Sequence, residues 1–207
     1  GFAYQCEQQG AACRKIEKLN VNEVACLGDI SGFSIPYYSY QKTRNAHECL
    51  SLIRSNCDTV VLGNHDIHAA GIIPENSPNF KFPENWYQLD YHQRHQLANN
   101  TIWLHEENDL DPLYKENDRA YLRTLSEYAV MKTPQVNIMF SHYIYPNLSG
   151  FHKSFYSYRD EFQHHLSYMK NLNCNISFTG HSHVKGFYTA TINRFKQFRN
   201  KKTRLDH

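Results

Sequence analysis

Val60-Val61-Leu62-Gly63-Asn64-His65-Asp66 decides how this chain is to be read. Three apolar residues, two of them β-branched, run into a glycine, which is the pattern of a buried strand ending in a tight turn. An amide, an imidazole and a carboxylate then follow in succession. The same grammar occurs three more times. Val24 to Leu27 leads into Gly28-Asp29, Val136 to Phe140 into Ser141-His142, and Ile176 to Phe178 into Thr179-Gly180-His181-Ser182-His183. Four predicted strands therefore end in a side chain able to hold a metal. In open α/β sheets, ligands collect at the carboxyl ends of the strands.

The segments between these strands support an α/β reading. Residues 3–19 carry apolar side chains at near-helical spacing, and a second helix is expected over 44–55, with Leu50 and Ile53 inward. Helix and strand alternate through this first third. The prolines at 74, 78 and 83 mark a long loop over 71–86. A helix is expected over 87–98, a short strand over Thr101–Leu104, and another helix over 118–126. Thr133-Pro134-Gln135 sits between two apolar runs as a hairpin turn. Residues 158–171 read as a helix, with His164-His165 on its solvated face. Nothing in the composition divides the chain, so 1–207 is read as a single domain.

Bulk properties exclude several classes. The 207 residues are 41% hydrophobic, enough for a core. A net charge of +2 gives no whole-chain argument for nucleic acid or acidic lipid. No apolar run is long enough for a membrane span. The six cysteines lack C-x-x-C spacing and fit small buried hydrophobes in a reducing, cytoplasmic setting. The basic stretch from Arg194 to Arg204 reads as an exposed terminus rather than a nucleic-acid site. The chain's 13 histidines are too many to be ligands together, so position must select among them. His68, His92, His95, His105, His152, His164 and His165 fall outside the motifs and are not expected to bind metal. His152, in the loop after His142, could reach a substrate. Phe33, Tyr37, Tyr38 and Tyr40 could line a pocket or merely cover it.

Asp29, Asn64, His142, His181 and His183 form the candidate ligand set. A carboxylate can bridge two cations, and neutral imidazoles suit zinc, iron, manganese or nickel. The motifs Gly28-Asp29, Gly63-Asn64-His65-Asp66, Ser141-His142 and Gly180-His181-Ser182-His183 resemble, in order, those of the calcineurin-like metallophosphoesterases. Gly28 to Phe33 is most similar to the bacterial branch of small phosphodiesterases and serine/threonine phosphatases.

The resemblance implies a layered α-β-β-α sandwich of two mixed sheets. It implies two divalent metal ions, with Asp29 bridging both, Asn64, His142 and His181 on the second, and His183 on the first. It makes His65 the general acid and places Asn64 and His65 on a small phosphoester substrate, a monoester or diester.

Three departures stand out. Gly32 occupies the place where this family has the aspartate that orients the catalytic histidine. The family's Asp-x-His motif, expected one helix before Gly28, is not present. Gly1 then matches the glycine after that motif, so the chain reads as lacking the first strand and half of the first metal's ligands. No Asn-Pro-Gly-like segment follows His183 either. The expected consequence is low activity for the chain as it stands. The rival reading is a metallophosphoesterase fold kept as a non-catalytic binding scaffold.

Overall fold

Two parallel strands carry the first half of the site. In the computed structural model, which describes residues 3–35, 44–153, 162–183, 187–191 and 194–198, β1 (Ala25–Cys26) pairs in parallel with β2 (Thr59–Val60). Val61 N–H continues this ladder by donating to the Cys26 carbonyl at 3.1 Å. Preceding each strand is a helix, α1 (Ala3–Lys18) and α2 (Ala46–Asn56). The start of α2 is fixed by Asn45, whose side chain accepts the Glu48 N–H at 3.2 Å. Cys49, Leu50 and Ile53 lie on one face of α2 and are buried, as the helical period requires.

A helix not anticipated from the sequence follows β2. It is α3 (Asn64–Ala70), which begins at the motif itself and ends at Gly71 in the left-handed conformation, φ 66°. The long loop that follows is pinned. Glu127 accepts the backbone N–H groups of Glu75 and Asn76, Tyr87 donates its hydroxyl to the Ile72 carbonyl, and Trp86 is buried against Phe80 and Phe82. The expected helix over 87–98 is a 3-10 turn at Trp86–Gln88 followed by α4 (Tyr91–Ala98). Asp90 and Gln93 make a reciprocal capping box that starts α4 at this point. Thr101–Leu104 does not form the expected strand: it makes only a single bridge, Ile102 to His152.

After α5 (Glu116–Leu122), β3 (Tyr128–Lys132) and β4 (Asn137–Ser141) form the expected hairpin, with Tyr128 opposite Ser141 and Lys132 opposite Asn137. Then α6 (Phe162–Asn171) crosses to β5 (Ile176–Phe178), which adds in parallel to β4. An antiparallel pair, β6 (Phe187–Ala190) and β7 (Phe195–Phe198), completes the described strands. The architecture is α/β with parallel, mixed and antiparallel pairings. Tyr37, Tyr38, Tyr40 and the tail beyond Phe198 lie outside the described residues. Among the described residues no helix is long and apolar enough to cross a membrane. Cys13, Cys26, Cys57 and Cys174 are free thiols.

His165 corrects one expectation. Its neighbour His164 is exposed, but His165 is buried: Nδ1 accepts the Tyr145 N–H at 2.9 Å and Nε2 lies 3.0 Å from the Ser177 hydroxyl. It therefore ties α6 to β5 and to the loop after β4. Burial lowers its pKa from 6.5 to about 4. A histidine depressed in the folded state binds fewer protons than the unfolded chain between those values. Its contribution is fully present above pH 6.5 and is lost as pH falls toward 4. Between pH 7.5 and 4.5 the native chain is expected to lose about 2–3 kcal/mol more stability than His165→Asn. Urea unfolding at the two pH values checks this, and equal losses would refute it.

Candidate functional site

Gly28 and Gly63 allow the two parallel strand ends to touch. Gly28 has φ 86°, and a Cβ on it would lie 2.3 Å from the Gly63 nitrogen. A Cβ on Gly63 would lie 2.2 Å from Asp29 Oδ1. No side chain fits at either position, so the backbones close on one another. Asp29 itself has φ 52°, His181 φ 68° and His183 φ 46°. Non-glycine residues in this region carry backbone strain, which concentrates at functional sites.

Three ligand atoms from three strand ends converge. Asp29 Oδ2 lies 3.1 Å from His142 Nε2, and His142 Nε2 lies 3.1 Å from His181 Nδ1. The other nitrogen of His142, Nδ1, donates to the Leu27 carbonyl at 2.6 Å. That bond orients the ring and turns Nε2 toward Asp29 and His181. Asp29 Oδ1 meanwhile accepts the His65 N–H at 3.2 Å. Burial disfavours the charged form of His142, but Asp29 and the Leu27 carbonyl outweigh it and raise its pKa, so without an ion a proton bridges His142 and Asp29, and a divalent cation would take that proton's place. The spacing of the three groups is also that of ligands about 2.0–2.2 Å from one ion. Among the described residues Asn64 Oδ1 is buried without a hydrogen-bond partner, a further neutral oxygen suited to a cation. The donor chemistry therefore fits a divalent metal.

The electrostatics agree. Burial pushes the Asp29 carboxyl up, yet His142 and His65 outweigh it and hold the group well below its ordinary value. Burial and the neighbouring His142 depress His181 to about 3, so its nitrogen stays unprotonated. His183 adds to that depression but is itself exposed and stands outside the three-residue group.

His65 follows Asn64 at the start of α3, and its Nδ1 lies 2.5 Å from Asp109 Oδ2. Burial disfavours its charged form, but Asp29 and the Asp109 hydrogen bond override this and raise it to about 9. His105 sits behind both motif residues. Its ring meets His65 edge-on at 4.7 Å, stacks on His68 at 4.8 Å, and brings Nε2 to 2.9 Å from Asn64 Nδ2. Burial keeps His105 neutral. His65, His105 and Asp109 thus make a second His/Asp group beside Asp29, His142 and His181; either could hold a metal ion.

His152 is buried, with Nε2 2.9 Å from Ser77 Oγ, and so fastens the long loop rather than facing outward. Asp109, His105 and Asp66 escaped the sequence reading as members of the site. Asp66 was visible in its motif but carried no assigned part. Its carboxylate, fully buried, accepts the N–H groups of Ile30 and Gly63, each at 3.0 Å.

Comparison with known proteins agrees with this geometry. The model of the calcineurin-like phosphoesterase family matches residues 5–185. None of the curated proteins compared with the chain matches it. Among solved structures, a hypothetical protein from Pyrococcus horikoshii OT3 is similar at 18% identity and a TM-score of 0.47, over 82% of this chain and 62% of that one. The present chain thus spans under two thirds of that protein's length. By the family match, the chain belongs to the calcineurin-like phosphoesterases.

Proposed function

From that membership we propose that the protein hydrolyses a phosphomonoester or phosphodiester with the aid of two divalent metals. The observation that carries this reading is the convergence of Asp29, His142 and His181 at 3.1 Å spacings from three separate strand ends. Asp29 would hold both metals, Asn64, His142 and His181 the second, and His183 the first. When bound, such a pair of ions acidifies a water and offsets the charge of the phosphate.

The chain's own groups do the rest. His142 is oriented by its bond to Leu27, which keeps Nε2 on the side of Asp29 and His181. Asn64 spends one amide proton on His105 and has a second for a phosphate oxygen. His65 donates its proton to the leaving oxygen, a role suited to a group whose surroundings favour the protonated form.

The test is hydrolysis of p-nitrophenyl phosphate and of its bis-ester with added manganese. Turnover of at least one ester is expected, abolished by a chelator and restored by metal. A protein that binds metal yet hydrolyses neither ester would instead be a scaffold.

A further inference from the structure

We propose that Asp109 is the positioning residue of His65, taking over from a different strand segment the support that Gly32 cannot give. The proposal rests on His65 acting as the leaving-group acid. Gly32 has no side chain to offer, and the space for one is tight: a Cβ there would stand 3.0 Å from His65 Nδ1 and 3.1 Å from Cε1, so the ring would have to give by a few tenths of an ångström. The ring lies directly against the backbone at this position.

Asp109 reaches the same nitrogen from across a bridge. Ser34 pairs with Asp109 in antiparallel fashion, Ile35 N–H donates to the Asn108 carbonyl at 2.6 Å, and Leu110 N–H donates to the Phe33 carbonyl at 3.1 Å. Three consecutive residues after Gly32 are therefore laced to residues 108–110, and the carboxylate is delivered beside the vacant position. Its side chain is only 12% exposed, so solvent competes weakly for the bond. With Nδ1–H committed to Asp109, Nε2 is the nitrogen left to carry the transferable proton.

The same contact sets a hydrogen bond against a metal in the second His/Asp group. A nitrogen and an oxygen bound to one ion at about 2.0–2.2 Å stand roughly 3 Å apart. At 2.5 Å, His65 Nδ1 and Asp109 Oδ2 stand closer than that, at hydrogen-bond distance. His105 Nε2 is engaged by Asn64, which among the described residues leaves its buried Nδ1 as the ring's remaining polar atom.

The experiment compares the native chain with Asp109→Asn, which can still accept the hydrogen bond but loses the charge, and Asp109→Ala, which loses both. Imidazole nitrogen NMR, in the absence of substrate, should show a strongly downfield Nδ1 proton on His65 that weakens in Asp109→Asn and vanishes in Asp109→Ala. Manganese stoichiometry should be the same in all three. In hydrolysis, kcat for an alkyl phosphate should fall about 10- to 100-fold in Asp109→Ala, with far less loss for p-nitrophenyl phosphate and little change in KM. The same substitution in a His65→Ala background should have no further effect.

Loss of one manganese equivalent in Asp109→Ala would make the residue a ligand and overturn the proposal, as would an unchanged His65 signal. Absence of hydrolysis by the native chain would instead count against the hydrolase reading, while the nitrogen spectrum still decides the positioning.

Discussion

Asp29→Asn is expected to abolish both metal uptake and hydrolysis while leaving the fold intact. The carboxylate is the only charged ligand in the group it forms with His142 and His181. An amide of the same shape retains an oxygen to accept the His65 N–H, so the backbone contact at 3.2 Å survives. It removes the negative charge that a divalent ion requires, and its NH2 can turn toward the His142 lone pair and satisfy it without any cation. Disturbing only the support of a metal ligand weakens binding by about 10–100-fold, so loss of the ligand's charge should exceed about 100-fold. Elemental analysis of the native chain should find close to one tightly held manganese, since Asn64, His142 and His181 join Asp29 on one side. Asp29→Asn should retain none after dialysis and should unfold at the native urea midpoint. Full metal occupancy in this variant would sink the proposed centre.

The parts of this site that were legible in sequence are those written locally. Each of the four strand ends carries its own signal, an apolar run, a break in the chain direction and a polar side chain, all within seven residues. Asp29, Asn64, His142 and His181 could therefore be named without knowing how the strands pair. Asp109 carries no such signal. It lies 44 positions after His65 and reaches it only because the segment around it bridges to Phe33–Ile35. Nothing in residues 105–109 announces that pairing.

His164 and His165 illustrate a finer limit. Successive residues on a helix point about 100° apart, so adjacent imidazoles cannot share a fate, and packing of α6 against β5 selects the second. The missed strand at Thr101–Leu104 reflects length. The chain there makes one bridge and turns away, a stretch too short for alternation to separate strand from loop.

Asp66→Ala should cost the fold roughly 2–6 kcal/mol, because it removes the acceptor of two buried N–H groups at about 1–3 kcal/mol each. Asp66 is fully buried, and its two oxygens accept from different segments: Oδ2 from Gly63 at the start of α3, Oδ1 from Ile30 beside Asp29. The first bond caps the helix, and the carboxylate also lies at the positive end of the helix dipole. The second ties that helix to the strained turn in which Asp29 has φ 52°.

Removing the clamp therefore acts on stability and on the metal centre together. The urea midpoint should fall, and manganese affinity should drop about 10–100-fold, the range for loss of a ligand's support. Asp66→Asn keeps one good acceptor and so removes it from one N–H instead of two, which should give roughly half the stability loss. This graded pair separates the clamp from a simple packing role. The two side chains are nearly the same size, so if packing alone mattered, Asp66→Asn would unfold like the native chain.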